Sequence, residues 1–174
     1  MPLMGGDESA ALFEALIRRN GEDLSRYFQR RLLNASDAAE AYGELLLTAW
    51  KIRRKMPADE LDARMWLFAT ARNVLLNSRR SLARRSAAVQ RFINDARSMH
   101  SVSDSDVLSV EVREAIESLS ADDAELVRLV YWDGLRSHEA AAVLRINPST
   151  ARSRLSSAKR QIRARLEATS KAST

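Results

Sequence analysis

The tract from Leu135 to Leu166, LRSHEAAAVLRINPSTARSRLSSAKRQIRARL, constrains the chain more than any other. Its spacing predicts a short helix, a tight turn and a longer basic helix. Ser137 is placed to cap the first helix, and Ala140, Ala141, Val143 and Leu144 give it an apolar side. Asn147-Pro148 then supplies a cap followed by proline at the first helical position. Along the second helix Ala151, Leu155, Ala158, Ile162 and Leu166 form a packing stripe, while Arg152, Ser153, Ser156, Lys159, Arg160 and Arg163 fall mainly on the remaining surface. No Asp or Glu lies between Pro148 and Leu166. This is the pattern of a helix-turn-helix nucleic-acid reader, in which side chains near the amino end of the second helix, here Arg152 and Ser153, reach base edges. The plain alternative is a basic amphipathic helix with one solvated face. A helix that is merely soluble needs neither the capped turn nor the short partner helix in front of it.

Composition limits what else the chain can be. Its 174 residues, 45% hydrophobic with three prolines and five glycines, suffice for one moderate core or two small ones and suit a helix-rich protein. The net charge of +5 favours an anionic partner, and the basic residues concentrate in two tracts. Cysteine is absent, which excludes disulfides, thiolate zinc sites and cysteine nucleophiles. His100 and His138 are far apart in sequence and form no metal or triad pattern, so no catalytic residue, metal or cofactor is expected. The start MPLMGGDES has no basic segment followed by an apolar core, and no run approaches a membrane span. A cytoplasmic protein without a membrane span is expected.

Upstream, Ala10 to Arg31 predicts two amphipathic helices broken near Asn20-Gly21. A third begins at Asp37, where Asp37 and Glu40 approximate a capping box, and runs to Trp50 with Glu40 and Glu44 on its exposed side. The connection Lys51 to Arg64 holds Met56-Pro57 and the acidic residues Asp59, Glu60 and Asp62, so irregular backbone is expected there. The acids either face a ligand with that loop or pair with Arg53, Arg54 and Arg64. The next helix, from Ala63, turns Trp66, Leu67, Ala69, Thr70, Val74 and Leu75 inward, with Trp66 read as core in preference to a base-stacking ring. Arg72, Asn73, Asn77, Arg79, Arg80, Arg84 and Arg85 gather toward its carboxyl end. Four arginines between Arg79 and Arg85 exceed what complementing a helix dipole needs and suit phosphate.

Ser98 to Val110 carries serines and aspartates, no Lys or Arg and weak periodicity, and reads as a linker. At roughly 3.4 Å per residue it spans about 45 Å, more than the ~34 Å of one DNA turn. Beyond it come a helix from about Glu111 to Leu119, another capped by Ser120 with Leu126, Val127, Val130 and Tyr131 inward, and a stop at Asp133-Gly134. The expected fold is all-α: two small helical domains, residues 1–97 and 111–174, joined by a flexible linker over 98–110, the second domain a helix-turn-helix.

In this order, DAAEAYGELLLTAW, MWLFATARNVLLNSRR and VREAIESLSADDAELVRLVYWDGLRSHEAAAVLRINPSTARSRL resemble the segments of a bacterial RNA polymerase sigma factor of the sigma-70 family, extracytoplasmic-function group. The resemblance covers nearly the whole chain. It implies binding to core RNA polymerase through Asp37, Glu40, Glu44, Leu47 and Trp50. It also implies a minus-thirty-five DNA surface of Thr150, Arg152, Ser153, Arg154, Ser156, Lys159 and Arg160. The minus-ten set would be Arg53, Arg54, Arg64, Arg72, Asn73, Asn77, Arg79 and Arg80, with the loop from Arg53 to Arg64 receiving an extruded base. The partners implied are core polymerase, promoter DNA and an anti-sigma factor, and the free chain is expected to be monomeric. The family's Asp-Ala-Glu-Asp-x-x-Gln-Glu is altered at Ala39, Glu40 and Gly43, its Leu-Pro is Leu119-Ser120, and its Arg-Ala-Arg is Ser157-Ala158-Lys159. These departures imply the same task with altered strength or specificity. Two other functions fit parts of the chain. A stand-alone helix-turn-helix regulator accounts for the second block but needs a dimer interface or effector pocket. A helical adaptor or enzyme lacks a catalytic constellation.

Overall fold

The computed structural model describes residues 6–92 and 107–172, and among them every regular element is helical. The chain divides into two compact units, Met1–Ala96 and Arg97–Thr174. His100 and the linker positions 98–106 lie outside the described residues.

The first unit packs three helices against one another: α1 (Gly6–Gln29), α2 (Ala35–Lys51) and α3 (Glu60–Phe92), with a 3-10 turn at Arg53–Lys55. Its centre is aromatic. The Tyr27 ring meets Phe28 at 5.3 Å and Phe68 at 5.8 Å edge-on, and Leu24, Leu45 and Leu67 are fully buried around them. The expected break at Asn20-Gly21 does not occur. Asn20 is buried and stays helical because its amide donates to the Leu16 carbonyl at 2.9 Å while its oxygen accepts from Arg64 at 3.2 Å. Gly21 serves packing: a Cβ there would stand 3.0 Å from the Tyr42 hydroxyl of α2. Burial pushes that Tyr42 phenol above its ordinary pKa.

The start of α2 also differs from expectation. Asn34, not Asp37, caps it, accepting from the Ser36 amide at 2.8 Å, and Asp37 occupies the first turn, where its charge complements the helix dipole. In α3, Asp59 accepts from the amides of Leu61 and Asp62 at 3.0 Å each, so the helix begins at Glu60 and the irregular connection is shorter than the sequence indicates. Phe68 and Ala71 take fully buried positions, whereas Trp66 and Ala69 are only half-buried. The inward stripe is therefore rotated toward Phe68.

In the second unit α7 (Pro148–Ala172) packs against α4 (Val107–Glu117), α5 (Ala121–Tyr131) and α6 (Ser137–Leu144). Helix α4 begins four positions before Glu111, inside the stretch read as linker, because the repeat Leu108, Val112, Ala115, Leu119 continues one turn upstream of the Ser/Asp-rich composition. Ser120 caps α5, accepting from the Asp123 amide at 3.2 Å, and Gly134 ends its following turn in the left-handed region at φ 69°. Leu129 is fully buried, whereas Tyr131, expected inward, is 52% exposed. The core of this unit is made from small and branched residues: Ala115, Ile116, Leu126, Ala140, Ala141, Val143, Ala151, Leu155 and Ala158.

Candidate nucleic-acid interface

The turn between α6 and α7 sets how the basic helix is presented. The Ile146 amide donates to the Ala141 carbonyl at 3.0 Å and the Arg145 amide to Ala142 at 3.2 Å, with Arg145 at φ 57°. That is a Schellman ending in which arginine occupies the left-handed position usually given to glycine. Ile146 is half-buried, and Asn147 then starts α7, its side-chain oxygen accepting from the Ser149 amide at 3.0 Å and hydroxyl at 2.9 Å. At the other end of α6 the capping differs from expectation. Ser137 is the first helical residue, and the Arg136 amide is satisfied by the buried Glu139 carboxylate at 2.6 Å.

On α7 the packing stripe is made by Ala151, Leu155 and Ala158, which are buried, with Ile162 and Leu166 half-buried. Thr150, Arg152, Ser153, Ser156, Lys159 and Arg160 are all exposed. Arg154 is set apart from them: its Nε lies 3.9 Å from Asp123 of α5, and the side chain is 42% exposed. Lys159 extends over the exposed Tyr131 ring, 5.5 Å from its centre. Asp123 and Tyr131 are thus neighbours of the basic face that periodicity along α7 alone does not reveal.

In the first unit Asn73, Asn77 and Arg80 are exposed at positions one helical face apart on α3, and Arg84 continues the row. Arg72 is half-buried, and Arg79 donates to the Arg31 carbonyl at 3.1 Å across to the end of α1. Arg31 is itself buried over the Tyr27 ring at 3.8 Å, so Arg79 helps hold the α1 terminus. Arg54 is exposed in the 3-10 turn. Arg53 stacks on the Trp50 ring at 3.9 Å and donates to the Trp50 carbonyl at 3.0 Å. Arg64 belongs to α3, not to the loop, and pairs with Asp23 of α1 at 3.3 Å. Glu60 pairs with Arg19, which raises the guanidinium pKa further, so this acid faces Arg19 of α1 and not Arg53, Arg54 or Arg64. Met56, Pro57 and Ala58 form one wall of a mainly apolar groove whose other walls include Leu12, Leu16 and Ala63.

The exposed side of α2 carries Glu40, Glu44, Leu47 at 63% exposure and Trp50 at 42%, with Asp37 half-buried at its start. Trp50 is edge-on to Phe13 at 5.5 Å. Two sets of residues that the sequence treats as separate meet here. Asp37, Glu40 and Glu44 share a groove with Asn77, Arg84 and Arg85, and Glu40 lies 3.8 Å from Arg85. An acidic row on α2 therefore borders a basic and amide row on α3.

Residues 16–85 match the Sigma-70 region 2 family, and residues 109–162 match Sigma-70, region 4. Over 161 residues the chain is 30% identical to the ECF RNA polymerase sigma factor SigL of Mycobacterium tuberculosis, covering 91% of this chain and 90% of the relative. Its fold is shared with RpoE of Bartonella quintana, solved with the anti-sigma factor NepR, at TM-score 0.66 and 20% identity over 89% of this chain and 96% of that one. CnrH, solved with the cytosolic domain of CnrY, matches at TM-score 0.62 and 21% identity over 90% and 88% of the two chains. With a region 2 match on the unit that bears the α2–α3 groove and a region 4 match on the unit that presents α7, the chain belongs to the extracytoplasmic-function group of sigma-70 sigma factors.

Proposed function

We propose that the chain works in the cytoplasm, binding core RNA polymerase through the exposed side of α2 and reading promoter DNA through α7. The observation that carries this reading is the acid-free stretch of α7 from Pro148 to Leu166, with exposed Thr150, Arg152, Ser153, Ser156, Lys159 and Arg160 presented by a capped helix-turn-helix. Arg152 and Ser153 lie in the first turns, where a recognition helix contacts base edges in the minus-thirty-five element; Lys159 and Arg160, farther along, suit phosphate. Exposed Asn73, Asn77 and Arg80 on α3, with Arg54 in the turn before it, suit the opened minus-ten strand. The apolar wall at Met56-Pro57 suits an extruded base. Extrusion costs a few kcal/mol, so polymerase contacts must help drive it.

No covalent step is involved: the work is recruitment followed by strand capture. Glu40, Glu44, Leu47 and Trp50 combine charge with exposed apolar area, which suits a partner surface carrying cations around an apolar centre. The test is run-off transcription on genomic fragments with purified core polymerase, alongside measurement of core binding. Full-length protein is expected to direct specific initiation only with core polymerase. Glu40→Lys with Glu44→Lys is expected to weaken core binding while circular dichroism stays helical. Full core affinity in that double variant would place the interface elsewhere, and tight specific DNA binding without any polymerase association would defeat the sigma-factor mechanism.

A further inference from the structure

We propose that Asp123 limits the affinity of the reader helix for DNA by retaining the Arg154 guanidinium against α5, withholding one cation of α7 from phosphate. The inference rests on α7 being the DNA-facing helix. Asp123 is held from its own side. Its Oδ2 accepts from the Ser120 hydroxyl at 2.8 Å, and the Asp123 amide donates to the Ser120 hydroxyl oxygen at 3.2 Å. Its Oδ1 is buried, receives no hydrogen bond and faces Arg154 Nε at 3.9 Å. The carboxylate is thus fixed with one oxygen aimed at the reader helix.

That arrangement opposes transfer of Arg154 to DNA for two physical reasons. Moving the guanidinium to a phosphate would leave a buried carboxylate oxygen facing neither donor nor cation, which is unfavourable. The fixed negative charge also attracts the guanidinium itself, and that attraction opposes its movement toward a phosphate. Arg154 is half-exposed, whereas Arg152 and Arg160 are exposed. The family resemblance places all three in one DNA-contacting set, and the packing of α5 on α7 separates Arg154 from the other two.

Binding of the full chain, alone and with core polymerase, to a short mixed-sequence duplex across a salt titration tests the proposal. Asp123→Asn is expected to tighten binding and to steepen the dependence of log affinity on log salt by about 0.9, the signature of one further phosphate contact. The same substitution made on Arg154→Ala is expected to change the slope little. Thermal melts followed by circular dichroism establish that the variants are folded, and Asp123→Ser provides a second neutral replacement. An unchanged slope in both folded Asp123 variants would overturn the proposal. So would steepening that survives in the Arg154→Ala background, since Asp123 would then act by its own charge, and so would a full phosphate's loss of slope on Arg154→Ala alone. Arg152→Ala and Arg160→Ala report separately on the underlying reading. If neither flattens the slope, α7 is not the DNA face, whatever Asp123 does.

Discussion

Gly21 and Gly43 are both inside helices, where glycine costs roughly 1 kcal/mol relative to alanine, yet their surroundings give the cost different meanings. Around Gly43 a Cβ would meet nothing within 4 Å. Gly43→Ala is therefore expected to stabilise the first unit by about 0.5–1 kcal/mol, read as a higher melting temperature. At Gly21 the same methyl group meets the Tyr42 hydroxyl at 3.0 Å, so the propensity gain is opposed by displacement of a packed ring. Gly21→Ala is expected to give little or negative change in the native background and a clear gain on Tyr42→Phe, where the hydroxyl is gone. A gain in the native background equal to that at Gly43 would show that the α1–α2 approach does not need glycine. Asn20-Gly21 reads as a break in sequence because both residues commonly end helices. Only the neighbour on α2 and the Arg64 bond reveal why they continue one.

The element that most directly positions the proposed DNA face is the α6–α7 turn. Arg145 adopts φ 57° there without the freedom of glycine. Arg145→Gly should relieve that strain and stabilise the second unit by about 0.5–1 kcal/mol after allowance for the unfolded chain. Asn147→Ala removes the acceptor for the Ser149 amide and should destabilise it by about 1 kcal/mol. Denaturant unfolding of the two variants checks the pair, and a stabilised Asn147→Ala would contradict the capping role. The start of α7 was legible because asparagine followed by proline has a local cause. The start of α6 was not, since its amide is satisfied by Glu139 reaching back from within the helix, while the nearer Ser137 only resembles a cap.

Across the whole molecule, the proposed function calls on two basic faces that should fail in different ways. In the holoenzyme, Arg152→Ala is expected to cost about 1–3 kcal/mol and to relax preference at one upstream position if it reads a guanine. Arg80→Ala should weaken binding to many sequences and lower the salt slope by about 0.9. Arg79→Ala is expected to behave differently from Arg80→Ala, lowering the stability of the first unit by about 1 kcal/mol through loss of its bond to the Arg31 carbonyl. Promoter-library selection, salt titration and thermal melts on the three variants decide this; identical behaviour of Arg79 and Arg80 would refute the distinction. The all-helical class, the helix-turn-helix and the basic stripe of α7 were determined by sequence alone, because apolar periodicity, caps and charge runs are properties of neighbours along the chain. Tertiary structure decided which basic residues are spoken for: Arg79 by α1, Arg64 by Asp23, Arg154 by Asp123 and Arg85 by Glu40. In each pair of opposite charges the attraction falls off over a few ångströms, and the partners are brought that close only when separate helices pack.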